Sequence, residues 1–285
     1  DGISWNIDET QPLLQNGPSG SFDDKGVETP SVVFFQNKYH MFYTATKFND
    51  GYTFRIGHAT STNGVDWVKD PNNPFLEPST NYTAFDGVLV GEPAAVVYKS
   101  QIYLYVSAGG VASDLGSKSV IGLSTSSDGV TFSPLVQVAE QDLTLYPRTQ
   151  NYNYTGYSTP FAIEIDGEMH IFHDVAQQIP DWTQVALHHI KSPDGVSNWT
   201  QDSFSIYVRS YFSWTQSEIR SPSVLVEGDT LKMWFAGHYL AGLTAETLND
   251  THFGIGYATA SIQDDSGAST IFPACFALVI VFDER

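Results

Sequence analysis

Three glutamates and an arginine stand at related places in this chain. Glu28 lies two residues before Pro30, Glu92 directly before Pro93, and Glu218 and Arg220 four and two residues before Pro222. Each proline opens an apolar run of strand character, so these side chains fall where a strand begins. A carboxylate on a solvated surface would be indifferent to that register. Carboxyl groups brought together from separate strands can divide acid and base work between them, and a nearby arginine can hold a hydroxyl or offset their charge. Plainer roles stay open beside this one: rim solvation for the glutamates and a structural salt bridge for Arg220.

The elements that must position these groups recur down the chain. The prolines Pro30, Pro93, Pro160 and Pro222 come at intervals of 62 to 67 residues. Eight residues before each stands an aromatic, Phe22, Phe85, Tyr152 or Trp214, and three before it an apolar residue, Val27, Val90, Tyr157 or Ile219. Second strands are expected at residues 39–44, 103–107, 169–173 and 231–236, and third strands at 54–60, 120–125, 185–190 and 253–259. Glycine turns at 61–64, 127–129 and 193–195 lead to Trp67, Phe132 and Trp199. Four short strands with tight turns make one antiparallel sheet. Repeated at this period, they predict an all-β fold, a β-propeller of four-stranded antiparallel blades. The repeats span about 22–78, 84–138, 152–203 and 214–262, and one domain uses the whole of residues 1–285.

The two ends are expected to finish the ring. Asp1-Gly2-Ile3-Ser4-Trp5 matches Asn63-Gly64-Val65-Asp66-Trp67, so residues 1–14 read as an orphan fourth strand that pairs with the last blade and removes exposed edges. In the tail, residues 263–285, Pro273 and the apolar run 274–282 read as a buried first strand of a partial further blade. At about 12 apolar residues with an internal proline, the tail is too short for a membrane anchor. Two insertions, 140–156 and 204–215, lie on a rim, where specificity usually sits.

Composition narrows the partners. The chain carries 32 acidic and 13 basic residues, net −19, which argues against nucleic acid and anionic membrane as partners, since both need a basic footprint. The single Cys275 excludes an internal disulfide framework. Sequons at Asn81, Asn153, Asn198 and Asn249 fit a secreted glycoprotein, and a start at Asp1 reads as a processed or trimmed chain. His188 and His189 point to opposite faces of a strand, so no metal is expected. Ala108-Gly109-Gly110 reads as a turn without a phosphate-binding helix, and no cofactor is expected. A monomer is expected.

The F-D lead at Phe22-Asp23, the strand at 39–44 (YHMFYT), the strand at 56–61 (IGHATS) and the turn leading to Trp67 together resemble the five-bladed β-propeller glycoside hydrolases. These are the arabinanase, levansucrase and invertase superfamily of families 32, 43, 62, 68, 117 and 130, with family 43 the most similar. The resemblance spans about residues 1–262. It implies an active site on the axial funnel, with carboxylates from different blades acting as base or nucleophile, as acid, and as the group that orients and tunes them. Glu28, Glu92 and Glu218 are the candidate catalytic residues on that footing. Glu92 fills a position where the superfamily usually has Asp. The position of the third-blade acid holds Ser158, ahead of Thr159 and Pro160, which departs from the pattern and leaves Glu218 as the nearest substitute.

Arg220, Asp23, Asp86, Ser158 and Trp214 are the candidate substrate contacts. Asp23 and Asp86 share a repeat offset, and a residue repeated in successive blades more often caps a turn. The aromatics at the Trp214 position could stack on sugars or pack between blades. A glycoside hydrolase-like protein acting on an oligo- or polysaccharide is the function expected, with a carbohydrate-binding propeller and a protein-interaction propeller as the alternatives.

Overall fold

The computed structural model describes the chain except for residues 1–11, 52, 113–115, 141–153, 178–182, 203–204, 241–250, 263–277 and 282–285. Its described residues are all-β apart from one turn of 3-10 helix at Ser213–Thr215. The first antiparallel unit runs in order through β1 (Gly26–Phe35), β2 (Lys38–Thr46), β3 (Arg55–Ser61) and β4 (Val68–Lys69). The second comprises β5 (Leu89–Tyr98), β6 (Gln101–Ala112), β7 (Gly116–Ser126) and β8 (Val136–Ala139). In the third, β9 (Tyr154–Ile165), β10 (Glu168–Gln177) and β11 (Thr183–Ser192) carry β12 (Thr200–Gln201) and β13 (Tyr207–Val208) along one edge. The fourth is β14 (Glu218–Glu227), β15 (Thr230–Leu240), β16 (Thr251–Ser261) and β17 (Leu278–Val281). A parallel bridge between Ser119 and Gly156 joins the second and third units.

The ends sit differently from expectation where they are described. The outer edge of the fourth unit, beside β16, is taken by β17 from the tail, whereas the sequence suggests the start of another unit there. Most of the expected closing strand, including Trp5, lies outside the described residues. Leu14 packs on the first unit with Phe22, Val27 and Trp67, against Tyr43, Ala45 and Ala59. Lys69 Nζ donates to the Gln15 carbonyl at 2.6 Å, on the same unit.

One turn is built three times from the same chemistry. The hydroxyls of Ser61, Ser126 and Ser192 accept the N–H groups of the residues two and three positions on. The side chains of Asn63, Asp128 and Asp194 accept the next pair of N–H groups. Gly64, Gly129 and Gly195 follow with φ of +77°, +73° and +77°, a region where only glycine escapes a steric penalty. Backbone N–H groups of Thr131 and Val130 hold the Asp128 carboxyl down at about 2. These turns set the register of β3, β7 and β11 against their aromatic closures.

The first strands β1, β5, β9 and β14 pack side by side in that order, and the core lies between successive units. Phe35, Phe42 and Ile56 meet Val90, Ile102 and Leu104 between the first two units. Tyr103, Tyr105 and Ile121 meet Tyr157, Met169 and Ile171 between the second and third. Phe172 and Leu187 meet Ile219, Met233 and Phe235 between the third and fourth. Burying each such side chain is worth about 1.5–3 kcal/mol, so the stacking of units fixes where the first strands converge.

Candidate active site

The four first strands share a defect at the repeat proline. Pairing slips at Glu28/Ser31 in β1, Gly91/Ala94 in β5 and Arg220/Ser223 in β14, and opposite Phe172/Asp174 in β9. The residue directly before the proline takes positive φ each time: Thr29 at 47°, Glu92 at 52°, Thr159 at 42° and Ser221 at 54°. Such a backbone costs on the order of 1–3 kcal/mol per residue away from glycine, and persists here because the flanking pairing over-determines it. The bulge turns these four residues out of the sheet and onto a common cavity of about 360 Å³, lined by residues 29–32, 92–95, 159–162 and 221–223.

Hydrogen bonds tie neighbouring units together beneath this cavity. The Thr29 and Thr44 hydroxyls bond each other at 2.6 Å, and Thr44 Oγ1 accepts the Glu92 N–H at 2.7 Å. Glu92 Oε2 accepts the Ser107 hydroxyl at 2.7 Å and the Thr159 N–H at 2.8 Å. Asp174 continues the pattern one unit on. Its Oδ1 accepts the Ser158 hydroxyl, and its Oδ2 accepts the Thr159 hydroxyl and, at 3.2 Å, the Ser221 N–H. Burial pushes the Asp174 carboxyl up to about 7, and the Glu92 charge adds to the rise. The two hydroxyls and the Ser221 N–H oppose it, because they favour the charged form.

The expected site residues divide sharply in this geometry. Glu92 lines the cavity. Glu28 does not: it stays in regular register opposite Thr44, on the sheet side of the bulge, and is solvent-exposed. Glu218 lies opposite His238, 3.9 Å from its Nδ1, and 3.7 Å from Arg220 Nη1. Neither Glu218 nor Arg220 is among the lining residues, since the lining of β14 begins at Ser221. Ser158 is buried and engaged with Asp174.

Three expected substrate contacts lie off the cavity lining, and the side chains of Asp23 and Trp214 serve the fold instead. Asp23 is buried, 2.5 Å from Lys69 Nζ, and accepts the Ser21 hydroxyl at 2.9 Å. Asp86 lies half-buried in the turn before β5, where its carbonyl accepts the Ser79 N–H at 3.0 Å. Trp214 stacks on Phe212 and Phe235 at 5.8 and 5.7 Å, inside the cluster between units three and four. Asp174 escaped the sequence reading because it stands on a second strand. The one signal was its place opposite Ser158, where the sister strands carry Thr44, Ser107 and Ala236.

A second group of titratable side chains sits between units, away from the cavity. His40 Nδ1 lies 3.2 Å from His58 Nε2, and His58 Nδ1 3.2 Å from Asp70. The third unit repeats the chain: His170 Nδ1 is 2.9 Å from His189 Nε2, and His189 Nδ1 3.0 Å from Asp202. His188 faces the other way and meets the Ser205 hydroxyl at 2.9 Å. Burial lowers His170 and His173 to about 3 and His188 to about 4.

Solved structures of several glycoside hydrolases share this fold. A family-43 thermostable glycoside hydrolase matches with TM-score 0.55 at 16% identity, covering 95% of this chain and 76% of its own. A glycosyl hydrolase from Bacteroides ovatus matches with TM-score 0.57 at 13% identity, over 85% of this chain and 69% of its own. The family-32 β-fructofuranosidase of Bombyx mori matches with TM-score 0.58 at 16% identity, over 88% of this chain and 49% of its own. At such identities the likeness is one of fold. No family model matches the sequence, and no curated protein matches it.

Proposed function

We propose that the four units are blades of a propeller and that the chain acts as a glycoside hydrolase on an oligo- or polysaccharide held in the axial cavity. Glu92 is the carboxylate that contacts the sugar. The observation that carries this reading is the fourfold bulge, which spends backbone strain to aim one residue per unit at a shared cavity, with Glu92 fixed there by Ser107 and the Thr159 N–H. Strain concentrated in this way is characteristic of functional sites. Fixed hydroxyls and a carboxylate suit a neutral, hydroxyl-rich ligand. The exposed sequon asparagines Asn81 and Asn198 support a secreted protein.

A non-catalytic saccharide-binding propeller is favoured by one specific observation. Glu92 is the sole carboxylate lining the cavity among the described residues, and glycoside hydrolysis ordinarily uses two flanking carboxyls. Incubating the purified chain with a panel of aryl-glycosides and natural oligosaccharides separates the two. Release of the aglycone or of a shortened sugar supports the hydrolase; saturable binding with no release establishes the binding propeller; neither binding nor release removes both.

A further inference from the structure

The Thr159 hydroxyl belongs to the cavity wall and at the same time to Asp174. The strand β9 presents Thr159 to the cavity through its bulge, while its Oγ1 donates to Asp174 Oδ2 behind the wall. Asp174 is fully buried, and among the described residues its oxygens accept hydrogen bonds from the hydroxyls of Ser158 and Thr159 and the Ser221 N–H.

We propose that Asp174 is a positioning residue whose protonation sets the polarity of the Thr159 hydroxyl, so that one buried proton controls how the cavity holds its ligand. When Asp174 is charged it is acceptor-only, and the Thr159 proton is committed to it. When Asp174 gains a proton its own O–H donates to Thr159 Oγ1. The Thr159 proton then turns to the cavity, where a sugar oxygen can accept it. No bond to carbon forms or breaks, and the proton comes from solvent and returns to it.

The surroundings allow this switch near neutral pH. Glu92 on β5 is the charged group that faces Asp174 and raises its carboxyl. The neighbouring strands β9 and β14 offer hydroxyls and an N–H. On β11 its cross-strand partner is the apolar Leu187, with His188 next in line. His173, beside it on β10, bonds the Asp174 carbonyl at 3.0 Å. Both histidines are held well below neutrality by burial and stay uncharged in the range concerned. The inference rests on the cavity being where the saccharide binds, but the switch can be read without a ligand.

The test is an NMR titration of the full chain from pH 5 to 9, following the Asp174 side-chain carboxyl and the Thr159 and Ser221 amides. One shared midpoint near neutral pH is expected, vanishing from both amides in Asp174→Asn. A midpoint in the ordinary carboxylate range, or amide steps that survive in Asp174→Asn, would overturn the proposal. Thr159→Val removes one donor to the carboxylate, so the midpoint should move up; an unmoved midpoint also overturns it, and this variant suffices should Asp174→Asn fail to fold. Any aryl-glycoside bound in the screen above should bind about fivefold tighter at pH 6 than at pH 8, the scale of one hydrogen bond, and equally at both in Asp174→Asn. If no glycoside binds, the functional reading fails while the titration still decides the switch.

Discussion

Asp174 and Ser158 are linked across β9 and β10, the carboxylate of the first accepting the hydroxyl proton of the second. Side chains at cross-strand positions point to the same face. A carboxyl therefore occupies the neighbourhood in which the superfamily resemblance would place a third-blade acid on β9, but it hangs from the next strand and is sealed behind Ser158 and Thr159. Under the proposed function, direct contact with a sugar falls to Glu92, which reaches the cavity from β5.

Gly129 joins turn geometry to packing between units. It sits at φ +73°, and an added Cβ would lie 2.7 Å from the His40 ring. Gly129→Ala meets both penalties and should lower stability by about 1–3 kcal/mol, measured by urea unfolding. Gly167, at φ +84° with open space around it, should lose less on the same change; equal losses at both positions would show that the His40 contact contributes nothing.

Lys69→Met should destabilise the first unit without altering the cavity. It would leave Asp23 buried with its charge uncompensated, apart from the Ser21 and Tyr43 hydroxyls at 2.9 and 3.4 Å. Breaking a fully buried pair costs about 3–5 kcal/mol; with Lys69 partly exposed, a loss of about 2–3 kcal/mol is expected in chemical denaturation. Wild-type stability in Lys69→Met would mean that Asp23 does not depend on the pair.

The fold should be acid-labile. Burial lowers His40, His58, His170, His173 and His188 in the folded chain, so folding disfavours their protonated forms. Their contribution is fully present above the unfolded value of about 6.5 and declines as pH falls from there towards about 3–4, where His170, His173 and His188 protonate in the folded state. Asp174 runs the other way: its raised carboxyl favours the fold below the unfolded value of about 4 and loses that advantage as pH rises through about 7. The melting temperature of the wild type should drop between pH 6.5 and 4.5. That of Asp174→Asn relative to wild type should rise between pH 4 and 8. A flat wild-type profile would contradict the buried histidines, and a pH-independent difference would contradict the buried acid.

The repeat was legible because proline spacing marks a backbone event, the bulge, which every first strand undergoes. Glu92 was legible for the same reason. Glu28 was misplaced because one residue decides the outcome: the bulge rotates Thr29 onto the cavity and leaves Glu28 in the sheet. Asp23 and Trp214 looked functional by type, yet Lys69 and the Phe212–Phe235 stack claim them through contacts far along the chain. Asp174 carries no local mark, since its meaning comes from Ser158 and Thr159 opposite it and from Glu92 on β5, five strands earlier in the chain. The last sheet's edge was ambiguous because both chain ends read as strands, and pairing rather than composition assigns β17 to β16.

Turnover of Glu92→Gln beside wild type tests the central claim most directly, with Glu218→Gln as the comparator. On whichever glycoside the wild type cleaves fastest, Glu92→Gln should lose about 10²–10⁴-fold in rate, the usual contribution of a positioned acid or base. Glu218→Gln should keep the rate to within a fewfold, because Glu218 sits with Arg220 and His238 off the cavity lining. Undiminished turnover in Glu92→Gln, or a collapse confined to Glu218→Gln, would contradict the assignment of Glu92 as the carboxylate that meets the sugar.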